Sequence, residues 1–263
     1  MGVPSQVAFL DLSHYVFHRF HSIITWCKAH HIVIQDDSEF LDRFDRLFIT
    51  NLLKILRKLN LTWKHFYIVK DCLKDKVWRM EIFPLYKKNR TDKEKNPLIS
   101  KVFRYVYEIL LPRLEDVFQA TIIGHDTAEA DDVIAVLTKA IHRRNPHTKV
   151  IIVSSDSDYV QLVDENTMVV NSQCVDITTK LEPEVVLHYV NWKVIRGDPS
   201  DNIPAIDVRV GSKYALKMAL DNALLKEKLK SCPNIRKRYE LNEKLIDFNF
   251  IPKELQKSIE KLL

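Results

Sequence analysis

Short apolar runs that end beside acidic residues alternate with longer amphipathic segments along this sequence. Three such runs are VAFLDL (7–12), HFYIVKD (65–71) and VIIVSS (150–155), and ATII (120–123) and TMVV (167–170) are similar. Short apolar runs of this kind are typical of buried strands, whereas apolar residues repeated at helical spacing indicate helices. Strands that alternate with helices form a mainly parallel sheet with flanking helices, so we predict an α/β fold.

The segments between and after the strands predict the helices and the domain layout. Their apolar residues recur at helical spacing, and a bend is expected at Pro112. The predicted helices are 40–59, 97–118 and 127–143. Beyond residue 182 the sequence predicts only short helices. We therefore expect an α/β core over residues 1–181 and a helical subdomain over residues 182–263.

Nine carboxylates have a route to one edge of the predicted sheet. They are Asp11, Asp71, Glu129, Asp131, Asp132, Asp156, Asp158, Asp198 and Asp201. The carboxyl ends of parallel strands are where ligands bind in open α/β sheets, and most of these residues follow predicted strands. Nine anions in one cleft repel each other unless cations neutralise them. A ligand set of oxygens without Cys or His favours Mg²⁺ or Mn²⁺, and no EF-hand loop for calcium is present.

The stretch TAEADDVIAVL (127–137) has two readings. Acidic residues in the first turn of a helix interact favourably with its dipole, and Thr127 would then serve as the N-cap. Alternatively, the carboxylates bind metal. On a regular helix Asp131 points roughly 200° away from Glu129, so the two can share an ion only if Glu129 lies at or before the first turn. We expect that arrangement.

Charge is distributed unevenly along the chain. Residues 61–110 contain 12 basic and 6 acidic side chains, residues 115–201 contain 7 and 15, and residues 226–263 contain 10 and 6. A basic–acidic–basic layout suits a protein that holds a polyanion around an acidic metal centre. Solvated helix faces are the alternative explanation of the same charges.

The cysteines and the apolar runs bear on compartment. The four cysteines, at positions 27, 72, 174 and 232, form no CxxC pair, which predicts reduced thiols and no zinc site. No apolar run approaches the length of a membrane span, and no secretion signal is evident. We expect a cytoplasmic protein, associated with the nucleoid or with replication sites, that does not bind membranes.

Five spaced segments together resemble the structure-specific 5′ nucleases. The segments are FLDLSHYVFHRFH, VKDCLKDKVWRMEIFPLYKKNR, AEADDVIA, VSSDSDYVQLV and RGDPSDNIPAI. That family comprises flap endonucleases, phage 5′→3′ exonucleases and the 5′-nuclease domain of bacterial DNA polymerase I. The resemblance covers about residues 7–220 and is greater to the phage or stand-alone bacterial type. It implies a PIN-like nuclease core with a helix–turn–helix hairpin in the helical subdomain.

The resemblance implies two bound Mg²⁺ ions, for which Mn²⁺ is expected to substitute. The implied ligands of the first ion are Asp11, Asp71, Glu129 and Asp131. Those of the second are Asp156, Asp158 and Asp201, with Asp132 and Asp198 bridging or acting through water. Two ions about 4 Å apart would activate a water and stabilise the leaving oxygen in phosphodiester hydrolysis.

The segment RMEIFPLYKKNR resembles the family element R-x-x-x-x-P-x-Y-K-x-N-R. The resemblance implies that Tyr86 stacks on a base and that Lys87 and Arg90 contact the scissile phosphate. Lys87 and Arg90 are therefore expected to be catalytic together with Asp131. Arg79 and Lys88, which belong to the same element, are expected to bind DNA.

The resemblance implies that residues 88–111 form the family's arch over the active site, through which a single-stranded 5′ end can pass. The stretch KNRTDKEKNP is charged and poor in apolar anchors, so we expect it to be disordered without substrate. Lys101 and Arg104, three positions apart on the following helix, are expected to line a phosphate path. An ordinary mobile loop that never meets DNA is the alternative.

The segment NIPAIDVRVGSKYALKMAL resembles the family's duplex-binding hairpin, near residues 204–220. The resemblance implies that Gly211, Ser212 and Lys213 bind DNA phosphates. The family usually has Gly-hydrophobic-Gly before the lysine, but VRVGSK has only Gly211 and is one residue longer. This departure argues against carrying over the potassium ion that the family's hairpin often binds.

The resulting prediction is a Mg²⁺-dependent nuclease that hydrolyses DNA at 5′ ends, flaps or nicks. A PIN-like ribonuclease and a branched-DNA-binding protein that has lost catalysis are the alternatives. We expect a monomer. The final segment QKSIEKLL (256–263) lacks the terminal aromatic pair of a sliding-clamp peptide, so we expect an amphipathic helix there and no clamp binding.

Overall fold

A five-stranded parallel sheet forms the centre of the protein. The computed structural model describes residues 5–90 and 96–263. Strands β1 to β5 are Gln6–Asp11, Phe66–Lys70, Thr121–Gly124, Lys149–Val153 and Thr167–Val170. They lie in the order β3-β2-β1-β4-β5, and every neighbouring pair is parallel. The predicted α/β class with a mainly parallel sheet is confirmed, and each predicted strand is present within one or two residues.

Helices cover both faces of the sheet and form the later part of the chain. Helices α1 to α6 are Leu12–Ala29, Asp37–Lys58, Arg79–Ile82, Pro97–Tyr105, Leu111–Phe118 and Ala130–Arg144. Helices α7 to α12 are Pro183–Leu187, Tyr189–Arg196, Ser212–Leu220, Asn222–Ser231, Pro233–Ile246 and Lys253–Ile259. None of the described helices is both long and apolar enough to cross a membrane, and all four cysteines are free.

Apolar periodicity determines which helix covers which face. In α2, Phe40, Phe44, Phe48 and Leu52 recur every four residues, so they form one stripe that is fully buried with α1 against one face of the sheet. Helix α6 has an unbroken apolar run from Val133 to Leu137 and lies in a second cluster on the other side, with Val7 and Phe9 of β1 and their neighbours in β4. Strand β1 is thereby covered on both sides.

The helix expected over 97–118 contains an interruption. A π-helical turn, Val106–Leu110, separates α4 from α5, and Pro112 stands in the first turn of α5. Pro112 lacks the backbone N–H that a continuous α-helix needs at that position, which gives a physical reason for the irregular turn just before it. The expected bend at Pro112 therefore takes the form of a π turn. Residues 91–95 of the expected arch lie outside the described residues.

Helices α8 to α11 form a separate apolar cluster that includes Ile195, Met218 and Leu225. The range of the predicted hairpin, near residues 204–220, contains a loop followed by α9, of which Gly211 is the N-cap, and α8 ends before that range. The hairpin itself stays a prediction. The end of the chain lies elsewhere. Phe248 and Ile259 are buried in the cluster beneath α6, so the last helix adheres to the α/β core instead of the helical subdomain. The predicted domain boundary at residue 182 stays a prediction. The packing of Phe248 and Ile259 indicates that residues near the C-terminus belong with the α/β core.

A tight turn after α8 carries two of the predicted metal ligands. Gly197 ends α8 with φ +71 and ψ −178, a conformation that is essentially restricted to glycine. A Cβ at this position would lie 2.5 Å from the carbonyl oxygen of Ile203. The backbone N–H groups of Asp198 and Ile203 each donate to the carbonyl of the other residue at 2.8 Å. The missing side chain of Gly197 is therefore what allows the turn to close.

We expect Gly197→Ala to lower the free energy of unfolding by at least about 2 kcal/mol, because it combines backbone strain with a collision against backbone atoms. Gly211→Ala is the matched control, since Gly211 has an ordinary φ of −83 and a Cβ added there would meet no atom within 4 Å. Its expected loss is below about 1 kcal/mol. Urea unfolding followed by circular dichroism measures both, and equal losses would contradict this account of the turn.

Candidate functional site

Carboxylates meet at the carboxyl ends of the central strands, as the sequence predicts. Asp11 is the last residue of β1 and the N-cap of α1, where it accepts a hydrogen bond from the backbone N–H of His14 at 3.0 Å. Its other oxygen accepts from the hydroxyls of Tyr159 at 3.0 Å and Ser154 at 3.4 Å. Burial raises the pKa of Asp11 to about 7, and the neighbouring charges of Asp71 and Asp156 contribute to this rise.

The residues after β2 and β3 bring a second set of carboxylates to the same place. Asp71 directly follows β2 and accepts from the backbone N–H of Ala130 at 2.8 Å, so it fixes the start of α6. Helix α6 begins at Ala130, and Glu129 occupies the N-cap position. The expectation that Glu129 precedes the first turn is confirmed. Thr127 is not the N-cap, because the chain from 125 to 129 is still outside the helix.

Glu129, Asp131 and Asp132 each offer an oxygen within 4.8 Å of the others. Their electrostatic environments differ. Burial alone would raise the pKa of Glu129, but Lys87 and Arg79 outweigh it and lower the pKa to about 2. Burial and the charge of Asp132 raise the pKa of Asp131 well above its usual value. Asp131 is therefore the member of this group whose negative charge the surrounding side chains compensate least.

Asp132 is fully buried and is held by a cation. Arg79 donates to both oxygens of Asp132 at 2.8 Å, and Trp78 Nε1 also donates at 2.8 Å. Arg79 further donates to Glu129 at 3.1 Å and to the carbonyl of Leu245 at 2.8 Å. The expectation that Arg79 binds DNA is corrected here, because its guanidinium is buried and fully engaged by these partners.

A second group of carboxylates consists of Asp158, Asp198 and Asp201, which again have oxygens within 4.8 Å of each other. Asp156, expected with this group, is exposed and lies near Asp11, while its side chain accepts from the N–H of Asp158 at 3.0 Å. Burial alone would raise the pKa of Asp198, but Lys193 and the hydrogen bonds from Ser200 lower it to about 2.

Lys193 is a site residue that sequence reasoning missed. Its buried ammonium pairs with Asp158 and lies 2.8 Å from Asp198. A buried lysine without such partners would be costly, so its position depends on these two carboxylates. The only local signal is one lysine within the mostly apolar helical stretch VNWKVI, which does not reveal its partners.

Tyr86 and Lys87 connect the two groups. The Tyr86 hydroxyl lies 2.8 Å from a Glu129 oxygen and 3.1 Å from an Asp201 oxygen. The expectation that Tyr86 stacks on a base is corrected, because this side chain is only 2% exposed and its hydroxyl faces the carboxylates. The ammonium of Lys87 lies 2.5 Å from Glu129 and 3.6 Å from Asp201.

A backbone hydrogen bond to Asp201 holds the chain at Lys87 in place. Lys87 adopts a left-handed φ of 53, and its N–H donates to the carbonyl of Asp201 at 2.9 Å. Arg90 pairs with the carboxylate of Asp201 and donates to the carbonyl of Ser200 at 3.2 Å. Both side chains thus reach the cleft, as expected for groups that meet a phosphate.

The remaining predicted DNA-binding residues lie on the surface. Lys101 and Arg104 are both exposed on α4, and Lys101 pairs with Asp37 of α2. Lys88 is also exposed, in the 3₁₀ turn Lys88–Arg90. Gly211, Ser212 and Lys213 are exposed at the start of α9, where backbone N–H groups have no partner within the helix. These positions are accessible to a polyanion, and their contact with DNA stays a prediction.

Tyr107 is a second site residue that sequence reasoning missed. It lies in the π turn Val106–Leu110 and is 37% exposed, and the charges of Asp71 and Asp11 add to the effect of burial in raising its pKa to about 12. A π turn shifts the direction of side chains relative to a regular helix, so periodicity over 97–118 does not place Tyr107 at the cleft. It is an accessible aromatic ring beside the carboxylates.

The donor chemistry of the cleft fits divalent cations. The two groups offer only carboxylate oxygens, which suit Mg²⁺ or Mn²⁺ more than zinc. Neither Asp11 nor Asp131 forms an ion pair among the residues that the structure describes, and both have raised pKa values. A cation bound near them would remove the repulsion that raises those pKa values.

Comparisons with known proteins agree with this geometry. Residues 6–190 match the family model described as 5′-3′ exonuclease, N-terminal resolvase-like domain. The chain is 30% identical over 213 residues to a 5′-3′ exonuclease of Buchnera aphidicola, with 77% of this chain and 66% of that protein covered. It is 29% identical over 170 residues to DNA polymerase I of Mycobacterium tuberculosis, which covers 61% of this chain and 18% of the polymerase. The chain therefore spans about a fifth of that relative's length.

Solved structures from bacteriophage T5 share the fold. A D15 flap endonuclease in a complex with DNA and metal ions superposes with a TM-score of 0.69 at 16% identity, over 97% of both chains. A T5 5′-exonuclease with bound zinc has a TM-score of 0.71, also at 16% identity and with the same coverage. At this identity the likeness establishes the fold, including the helical part that follows the family-model match.

The contrast between neighbouring residues Asp131 and Asp132 gives a test. Asp132→Asn should lower the free energy of unfolding by about 3 kcal/mol, because it removes the charge of the carboxylate that the buried Arg79 contacts through both oxygens and leaves that guanidinium only the longer ion pair with Glu129. Asp131→Asn should leave the free energy unchanged or raise it. Its raised pKa means that the ionised carboxylate disfavours the folded state at neutral pH, and asparagine removes that charge.

Urea unfolding at pH 7.5 in excess EDTA measures both variants, so that no bound cation contributes. Equal destabilisation by the two substitutions would show that the Arg79–Asp132 pair is not what distinguishes these positions.

Proposed function

The chain belongs to the family of the 5′-3′ exonuclease N-terminal resolvase-like domain, and we propose that it is a metal-dependent nuclease that hydrolyses DNA phosphodiesters at 5′ ends, flaps or nicks. One observation carries the proposal. Two groups of carboxylate oxygens lie in one cleft, and Lys87 stands between them with an ion pair to each. Carboxylates that bind cations, next to a lysine that can meet an anion, are the parts that phosphodiester hydrolysis requires.

Two sets of residues would hold the ions. We assign Asp71, Glu129 and Asp131 to one ion, with Asp11 beside them, and Asp158, Asp198 and Asp201 to the other, with Asp156 at the edge. Divalent ions, when bound there, supply positive charge that activates a water and stabilises the leaving oxygen. Mg²⁺ is the ion we propose, with Mn²⁺ as a substitute, because the donors are hard oxygens.

Asp132 has a supporting role in this proposal. Its two oxygens already accept three hydrogen bonds from Arg79 and Trp78, so it positions the guanidinium that also holds Glu129. This arrangement supports Asp132 as a positioning residue, in place of the bridging role that the resemblance implies.

Lys87 and Arg90 provide the cations for the reacting phosphate. Lys87 pairs with Glu129, and Arg90 pairs with Asp201. When cations neutralise those carboxylates, the two side chains can turn to phosphate oxygens within the same cleft. Charge on the phosphate oxygens increases toward the transition state, so a fixed ammonium there lowers the barrier more than it strengthens substrate binding.

An accessible aromatic ring and an exposed helix start complete the proposed substrate path. Tyr107 lies at the cleft with more than a third of its surface exposed, so we assign it the base contact that buried Tyr86 cannot make. Lys213 and the free N–H groups at the start of α9 are proposed to hold duplex phosphates. Passage of a 5′ end beneath residues 88–111 remains part of the same proposal.

Removal of metal is expected to abolish cleavage of a 5′-flap DNA, and Mg²⁺ or Mn²⁺ is expected to restore it. Asp131→Asn should reduce cleavage by at least about a thousandfold while DNA affinity in Ca²⁺ stays within about threefold, because it removes a ligand and not a phosphate contact. Asp116→Asn, an exposed aspartate on α5, is the matched control and should cleave normally.

The readout is a gel assay on matched DNA and RNA flaps with the same sequence. Cleavage of RNA alone would indicate the ribonuclease, and metal-independent binding without cleavage of either substrate would indicate an inactive binding protein. Full activity in excess EDTA would refute the proposal.

Two lysines separate the chemical step from binding. Lys87→Ala should lower the single-turnover rate by at least about a hundredfold with little loss of affinity, because its charge acts chiefly in the transition state. Lys213→Ala should weaken duplex binding for all sequences alike and reduce the salt dependence by about one phosphate contact.

Lys149→Ala is the control for both, since Lys149 is exposed at the amino end of β4, the opposite end of the strand from the carboxylates. Single-turnover cleavage and fluorescence anisotropy at three salt concentrations provide the measurements. Parallel losses of rate and affinity in Lys87→Ala and Lys213→Ala would contradict this division of roles.

A further inference from the structure

One short segment, residues 85–90, carries both cations that are proposed to meet the phosphate. This cation segment lies against the turn after α8. The N–H of Lys87 donates to the carbonyl of Asp201 at 2.9 Å, and Nε of Arg90 donates to the carbonyl of Ser200 at 3.2 Å. The position of both cations therefore depends on how the cation segment is held against the turn.

Two asparagine side chains reinforce this contact from opposite sides. Nδ2 of Asn89, in the cation segment, donates to the carbonyl of Pro199 at 2.7 Å. Nδ2 of Asn202, in the turn, donates to the carbonyl of Leu85 at 2.7 Å. Each side chain thus bonds its own segment to the backbone of the other segment, and neither bond involves a predicted metal ligand.

The backbone of Lys87 requires such support. Its φ of 53 lies in the left-handed region, which is unfavourable for a residue with a side chain and persists only where the surroundings impose it. Leu85 and Asn89 each lie two positions from Lys87, so the two asparagine bonds hold the chain on both sides of it. Asn202 also has a left-handed φ, of 61, which asparagine adopts more readily than most residues.

The two asparagine bonds matter more for placement of the cations than for folding. Asn89 is exposed and Asn202 is half-buried. A hydrogen bond that is open to water adds little to the net stability of a fold, because water replaces it when it breaks. Misplacement of a catalytic group by about 1 Å, by contrast, can cost about a hundredfold in rate.

We propose that Asn89 and Asn202 are positioning residues for the reaction assigned to the cleft. Asn202 holds the backbone that precedes Lys87 and so fixes that lysine. Asn89 fixes Arg90, its neighbour in the chain. These roles rest on the proposed function, since the placement of the two cations affects a rate only if a phosphate reacts beside them.

Single-turnover cleavage of a 5′-flap DNA in Mg²⁺ and fluorescence anisotropy in Ca²⁺ test both roles on the full chain. Asn89→Ala and Asn202→Gly should each lower the rate by about tenfold, while DNA affinity stays within about twofold. Glycine replaces Asn202 because it accepts a left-handed φ without strain. Thermal unfolding midpoints close to that of the wild type are expected for both variants.

Two matched controls remove the same kind of bond elsewhere. Nδ2 of Asn51 donates to the carbonyl of Leu47 at 2.7 Å on α2. Gln119 has a left-handed φ of 56, and its Nε2 donates to the carbonyl of Asp116 at 2.9 Å. Asn51→Ala and Gln119→Gly should cleave like the wild type. Rates that fall equally in the controls and in the two test variants would refute the assigned roles.

Double substitutions separate positioning from a general loss of structure. In a Lys87→Ala background, Asn202→Gly should cause no further loss of rate, because the cation that it positions is already gone. The same holds for Asn89→Ala in an Arg90→Ala background. Rate losses that multiply within either pair would overturn the role proposed for the asparagine of that pair.

Hydrogen exchange of the Lys87 amide in EDTA provides a readout that does not need activity. Its bond to the carbonyl of Asp201 should open more often without either asparagine bond, so we expect about tenfold faster exchange in Asn89→Ala and Asn202→Gly. A wild type that cleaves no DNA would refute the proposed function, and the exchange rates would then decide whether the asparagines hold Lys87. Exchange that is unchanged in both variants would contradict the proposal, whatever the cleavage rates.

Discussion

Repulsion between carboxylates that meet at one edge of the sheet is the constraint on which the rest of the site depends. The fold offsets part of it with built-in cations: Arg79 and Lys87 beside Glu129, and Lys193 beside Asp198. The pKa values of Glu129 and Asp198 consequently fall to about 2. Asp11 and Asp131 have no such partner among the described residues, and their pKa values are raised. The negative charge left over is therefore localised where a divalent cation would be most favourable.

Much of this arrangement could be predicted from the sequence, because it follows from local patterns. Strand ends are set by where an apolar run stops, so the apolar pattern alone assigns Asp11, Asp71 and Asp156 to one edge of the sheet. The start of α6 could also be predicted, since Glu129 and Asp131 can share an ion only if Glu129 precedes the helix. Parallel pairing of the strands then places these separate positions next to each other, so no other pattern in the sequence is needed to predict their proximity.

The features that could not be predicted are pairings between distant segments. The sequence shows Arg79 as one basic residue in a basic stretch, and only tertiary structure places it against Asp132 and the carbonyl of Leu245. The family resemblance implies that Tyr86 stacks on a base, and local sequence does not reveal that its hydroxyl is enclosed by Glu129 and Asp201. The position of Tyr107 depends on an irregular helical turn, which cannot be predicted from the spacing of apolar residues.

The second half of the site also shows why the helical part of the chain matters to the chemistry. Asp198 and Asp201 lie on the turn after α8, and Lys193 lies within α8, whereas Tyr86 and Lys87 belong to the segment after α3. Val77, Tyr86, Val194, Ile203 and Leu245 form one apolar cluster that joins these segments. The residues that pack the helical part against the core are thus the same residues that hold Asp201 close to Lys87. The complete set of carboxylates can therefore assemble only when these helices are docked against the core.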